Sequence, residues 1–128
     1  MGIPGFAVSV DAPEYNDGNL DYKETAAKAT EIIVKLLALP GNGQSMTVWN
    51  INLPYKPDGN YKGVQFTRLG TRLYHDFLLK REDPFGRPYY WIGGKQPTGL
   101  DEELTDYGAL KQGFVSVTPL HMDSTNYG

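Results

Sequence analysis

Ser116, His121 and Asp123 lie close together near the end of the chain. As a hydrolase triad they would need the serine on a sharp turn, with its oxygen presented to the base. Ser116 instead sits inside Phe114-Val-Ser-Val-Thr-Pro-Leu120, an alternating run that reads as a strand, and no Gly-x-Ser-x-Gly accompanies it. A small polar residue on the second face of a strand accounts for it. His75, Asp76, Glu82 and Asp83, and the run Asp101-Glu102-Glu103, invite a metal reading. Neither group has a known ligand spacing, and acidic loop runs are ordinarily solvated surface. The chain holds 15 glycines, but neither Gly-x-Gly-x-x-Gly nor a phosphate-cradling Gly-x-x-x-x-Gly-Lys-Ser/Thr, so nucleotide binding by those routes is not supported.

The arginines are the most specific local feature. Residues 62–87 contain six of the 12 basic residues and three of the 15 acidic ones, so this stretch is +3 within a chain of net charge -3. All four arginines, Arg68, Arg72, Arg81 and Arg87, fall inside it, with Tyr90 and Trp91 just beyond. Guanidinium groups suit carboxylates and phosphates and also stack on aromatic rings. Arginine with aromatics is the usual composition of a contact core, which favours a subunit interface; a substrate-proximal role for the same six residues stays open.

These groups need elements to position them. Phe6-Ala-Val-Ser-Val10 reads as a buried strand, followed by a polar loop from Asp11 to Asn19. Asp21 and Glu24 have capping-box spacing, and Tyr22, Ala26, Ala29, Ile33 and Leu36/Leu37 recur at helical spacing up to about Leu39. Trp49, Ile51 and Leu53 alternate with Val48, Asn50 and Asn52, the period of a strand. Two asparagines on one face imply hydrogen bonds that brace a loop or a neighbouring strand, or contact a ligand. Asp83-Pro-Phe-Gly86 has type I turn chemistry between two aromatic runs, which predicts a long hairpin. Thr105-Asp106 leads into a short helical turn, and Phe114 to Leu120 is a last strand. The expected organisation is an α/β core part over 1–63, a projecting β-hairpin over 64–94, and loop, short helix and closing strand over 95–128.

The 128 residues suit one ordinary domain, and no apolar run approaches the roughly 20 residues of a membrane span. Negative net charge argues against a nucleic-acid polymer as partner. With no cysteine, a disulfide framework and a thiolate zinc site are excluded, which fits a cytoplasmic location. Met-Gly-Ile-Pro-Gly at the start carries no basic segment followed by an apolar one, so no secretory signal is expected.

Several segments, in order, resemble the C-terminal part of the SurE family (survival protein E, 5'/3'-nucleotidases). Gly2-Ile-Pro-Gly-Phe-Ala-Val-Ser9 is similar to the family's Gly-Ile-Pro-x-Ile-Ala-x-Ser, and Asn50-Ile-Asn-Leu-Pro54 to its Asn-Val-Asn-hydrophobic-Pro. Thr67-Arg-Leu-Gly70, Arg81 to Gly93, Thr105-Asp106 and Gly113 to Leu120 resemble its hairpin and closing strand. The resemblance implies the C-terminal part of a Rossmann-like α/β fold with a hairpin that builds dimers or tetramers. It implies a cytoplasmic nucleotidase that hydrolyses nucleoside monophosphates with a divalent cation, Mg or Mn. The family's Asp-Asp-Gly and Ser-Gly-Thr motifs do not occur in these 128 residues. The expectation is therefore of a chain without catalytic, cofactor-binding or metal-binding residues of its own, inactive alone, with the missing half ahead of residue 1. A stand-alone oligomerisation module or a small anion-binding module is the alternative.

Overall fold

A computed structural model of the chain describes residues 3–14, 16–40, 47–121, 123 and 125. Eight elements follow in order: β1 (Gly5–Asp11), α1 (Lys23–Leu37), β2 (Thr47–Pro54), β3 (Val64–Phe66), β4 (Arg72–Glu82), β5 (Pro88–Gly99), α2 (Asp106–Lys111) and β6 (Val115–His121). They form a mixed α/β architecture with two sheets. One is four-stranded in the order β1-β2-β6-β3, the other is the pair β4-β5. The chain divides accordingly into Met1–Gly70 with Asp101–Gly128, and Thr71–Leu100.

The larger sheet is parallel between β1 and β2, antiparallel between β2 and β6, and parallel between β6 and β3. The alternation predicted for β2 is realised: Ile51 and Leu53 are fully buried on one face, joined there by Val115 and Val117 of β6. Ala29, Ile32 and Leu36 of α1 close that core. Full burial of a side chain such as Ile51 contributes about 1.5–3 kcal/mol, so this small cluster is the main source of stability in the unit.

The helix begins differently from the expected capping box. Asp21 Oδ1 accepts from the Lys23 backbone N–H at 2.9 Å, a local turn bond, and Tyr22 stands at the N-cap with no side-chain cap. Asp21 lies one position too early to serve the helix end. The buried stripe is likewise rotated, to Thr25, Ala29, Ile32 and Leu36. Tyr22 leaves the core to pack edge-on against Tyr55, 6.0 Å between centroids, while the Tyr61 hydroxyl reaches Thr25 Oγ1 at 3.2 Å.

α2 lies against β6 and β2. Its Ala109 is buried yet outside the α1 core cluster, which places α2 on the opposite face of the sheet. Thr105 caps it, accepting from Gly108 N–H at 3.1 Å and donating to the Glu102 carbonyl at 2.7 Å. Glycine is required at 108, because a Cβ there would stand 2.3 Å from that same carbonyl oxygen.

Val64–Phe66, expected from its strand formers to begin the hairpin, instead pairs with β6 in the larger sheet. The ribbon starts at Arg72, and its second strand runs on to Gly99, past the expected end of the hairpin at residue 94. A register shift between Leu73 and His75 lets Pro97 be passed without a ladder bond, and Leu73 pairs again with Thr98. The predicted turn forms as read. Gly86 N–H donates to the Asp83 carbonyl at 2.9 Å, with Gly86 at φ 76. Asp83 Oδ1 accepts from the Phe85 and Arg87 amides at 2.8 and 2.9 Å.

Candidate functional site

In open α/β sheets ligands sit outside the carboxyl ends of the parallel strands. One such parallel pair is β1 and β2, where Ser9 is in register with Asn52, and Asp11 with Pro54. The row continues across the sheet, Asn52 facing Ser116 and Ser116 facing Gln65. One step back lie Ala7, Asn50 and Thr118. Paired residues in a sheet share a face, so Ser9, Asn50, Asn52, Ser116, Thr118 and Gln65 lie on one face while the other carries the α1 core.

Beneath α2 the polar face is internally satisfied. Thr67 Oγ1 lies 2.7 Å from both Ser116 Oγ and Thr118 Oγ1, and all three residues are buried. This disposes of Ser116 as a nucleophile: it is fully buried, its neighbours are hydroxyls, and His121 stands five residues along the same strand, paired in register with Thr47. Toward β1 the face opens, and Ala7, Ser9 and Asp11 are exposed. There Ser9 Oγ donates to Asn52 Oδ1 at 2.5 Å. An amide oxygen cannot take the serine proton, so Ser9 in this pair is not an activated nucleophile. The expectation that the asparagines brace a neighbouring strand holds for Asn52. Ser9 and Asp11 were missed as site residues. Their alternation with Val8 and Val10 is visible in the sequence, but their partner lies 43 positions away.

The six residues of the arginine-aromatic group are not gathered into one site. Arg68 lies in the larger unit, where it bridges to Thr105 and its guanidinium meets Glu102 at 3.1 Å. The other five are spread along the ribbon. Arg72 faces Gly99 near its root, Arg81 faces Tyr89, and Arg87 closes the turn on Asp83 at 2.9 Å and lies over the Phe85 ring at 5.5 Å. At about 3.3 Å per residue, Arg72 and Arg81 are roughly 30 Å apart along β4, too far for one anion. Tyr90 and Trp91 point to opposite faces. With Trp91 go Phe77, Leu79 and Tyr89, and with Tyr90 go Leu78 and Ile92; every one of these is exposed. Hydrogen bonds from the Arg87 and Phe85 amides and the Arg87 side chain hold the Asp83 carboxyl below its usual range.

Among the described residues no three His, Cys, Asp or Glu side chains gather as a metal site. His75 faces Lys95 and lies 3.3 Å from Thr98 Oγ1, while Asp101 pairs with Lys111 at 3.2 Å. A groove of about 330 Å³ between α1 and β3 is lined by Ile32, Leu36, Leu39, Val64 and Phe66, with Lys28, Glu31 and Lys35 also lining it. Nothing polar converges at its floor. Glu31 is engaged by Lys35 and Lys28, which lower its carboxyl to about 2. Among the described residues no helix is long and apolar enough to cross a membrane.

Comparison with known proteins agrees with this geometry. The family model described as Survival protein SurE matches residues 1–76. A protein named 5'-nucleotidase SurE from Legionella pneumophila (strain Paris) is 41% identical, over 99% of this chain and 48% of its own length. Its namesake from Aquifex aeolicus (strain VF5) is 39% identical with the same coverage. The crystal structure of the SurE protein from Aquifex aeolicus superposes with a TM-score of 0.72 at 37% identity, covering 98% of this chain and 48% of that one. The chain thus spans about half the length of the curated relatives it matches.

Proposed function

Because the chain belongs to the SurE family, we propose that it is the C-terminal half of a cytoplasmic nucleotidase that hydrolyses nucleoside 5'- or 3'-monophosphates to nucleoside and phosphate with a divalent cation, Mg or Mn. The observation that carries the reading is the joint one: 41% identity to a 5'-nucleotidase SurE along 99% of the chain, with half of that relative left unmatched. The described residues do not offer a donor set for a divalent ion. We assign metal binding and water activation to the half of the relatives that this chain does not match. This half contributes the carboxyl ends of two parallel strands and the ribbon.

The ribbon supports assembly into a dimer or tetramer. A two-stranded sheet is marginal in water, and this one exposes Phe77, Leu79 and Trp91 on one face and Leu78 and Ile92 on the other. A second copy that covers either face removes that exposure. The test of function is complementation. Purified residues 1–128 should not release phosphate from a nucleoside monophosphate or p-nitrophenyl phosphate with Mn²⁺ or Mg²⁺, whereas a protein carrying the preceding half should. Metal-dependent turnover that co-purifies with residues 1–128 alone would overturn the assignment of the chemistry to the other half.

A further inference from the structure

We infer that the open polar shelf formed by Ser9, Asp11 and Asn52 binds the ribose hydroxyls of the substrate's nucleoside. This rests on the nucleotidase reading above and goes beyond it by assigning a recognition site to this half of the molecule. Three observations converge on the shelf. It stands at the carboxyl ends of the parallel pair β1 and β2, where ligands of α/β sheets are found. Ser9 and Asp11 share a face of β1, two residues apart, and both are exposed, while α2 covers only the β2 and β6 part of that face. Asn52 is almost wholly buried, and its carbonyl oxygen is already taken by the Ser9 hydroxyl, so the pair presents a fixed set of neutral donors and acceptors.

The chemistry selects the ligand. Ser9 and Asn52 carry no charge, and Asp11 is a carboxylate acceptor. A phosphate would meet that carboxylate as a like charge. Vicinal hydroxyls suit it better, because each can donate its proton to the Asp11 carboxylate or to the Ser9 oxygen, whose own proton is held by Asn52 Oδ1. A carboxylate at a strand end is a known solution for ribose recognition in sheets of this kind. A site built on such bonds also rejects a ligand that lacks the hydroxyl, since its own polar groups are then left unpaired.

The experiment uses the protein with both halves, as wild type, Asp11→Asn and Ser9→Ala. Asp11 is exposed in this half, whereas Ser9→Ala removes the donor to the nearly buried Asn52 Oδ1, so the melting temperature of each variant is read beside its kinetics. Adenosine monophosphate, its 2'-deoxy counterpart and p-nitrophenyl phosphate serve as substrates, and adenosine as an uncharged titrant in calorimetry. The expected result for Asp11→Asn is at least a tenfold loss of kcat/KM on adenosine monophosphate, carried by KM. Preference over the 2'-deoxy substrate should fall with it, and turnover of p-nitrophenyl phosphate should stay within twofold. Adenosine should bind the wild type and be weakened by the same factor in the variant. Equal losses on all substrates, which would mean a structural or phosphate-binding role, or no loss on any, overturn the inference. If the wild type binds adenosine through Asp11 but hydrolyses no nucleoside monophosphate, the nucleotidase reading fails and the shelf survives. If it hydrolyses nucleoside monophosphates with Asp11→Asn unaffected, the shelf fails alone.

Discussion

Replacing Thr67 with valine removes one hydroxyl and almost no volume from the polar layer under α2. Thr67 Oγ1 lies 2.7 Å from Ser116 Oγ and 2.7 Å from Thr118 Oγ1, and the three side chains are 8%, 0% and 3% exposed. Two hydrogen bonds disappear, each worth about 1 kcal/mol net, and two buried hydroxyls lose a partner that water cannot replace. The expected loss is about 2–3 kcal/mol. For a chain of this size that lowers the melting temperature by roughly 8–12 °C. Removing all three hydroxyls, by Thr67→Val with Ser116→Ala and Thr118→Val, deletes the partners together and should leave stability within about 1 kcal/mol of wild type. The assay is urea denaturation followed by tryptophan fluorescence, with Trp49 reporting from β2 of this sheet. A single variant that loses under about 0.5 kcal/mol, or a triple variant as unstable as three separate losses added, would refute the reasoning.

Two further outcomes follow from the ribbon. Trp91→Ala, opposite Leu79 on an exposed face, should weaken self-association by about 2 kcal/mol, roughly thirtyfold, in sedimentation velocity; an unchanged association constant would end the assembly reading of that face. Asp83 has a folded-state pKa below its usual value, so its contribution to the turn is complete above the unfolded value of about 3.9 and is lost as pH falls through the lower folded one. The Phe85 and Arg87 amide resonances should therefore shift together in an acid titration with a midpoint under about 3.9, and a midpoint above it would contradict the hydrogen bonds drawn here.

Much of the fold was legible because it is encoded by local periodicity and turn chemistry. The alternation of Trp49, Ile51 and Leu53 gave β2, and Asp83-Pro-Phe-Gly86 gave the ribbon's turn with its glycine in the one position that needs positive φ. What was not legible depends on partners distant in sequence. Val64 and Phe66 look like the start of an aromatic hairpin, and only pairing with Val115 and Val117 assigns them to the other sheet. Asp21 looks like a helix cap, but its carboxylate is drawn to Lys23 N–H by a competing local turn. The candidate site was hidden for the first of these reasons. Ser9 and Asn52 are unremarkable alone and become a pair only through the parallel register of β1 with β2.

The position of the ribbon within the chain bears on how the sheet comes together in time. Thr67 and Ser116 are 49 positions apart, and Thr71–Leu100 fills most of that interval. A hairpin with only local contacts zips in about 1–10 μs, well before pairing between distant strands is expected. Once it has closed, Arg72 and Gly99 are neighbours, and the span between β3 and β6 is shortened in effect by the whole ribbon. By loop-closure entropy the remaining search becomes roughly 0.8 kcal/mol cheaper. The backbone bonds from Arg68 to Leu104 and from Asp106 to Arg68, at 2.9 and 3.0 Å, lie just beyond that closed root and are poised to form next. Closure of the ribbon thus shortens the loop that the adjacent strands β3 and β6 must close in order to pair.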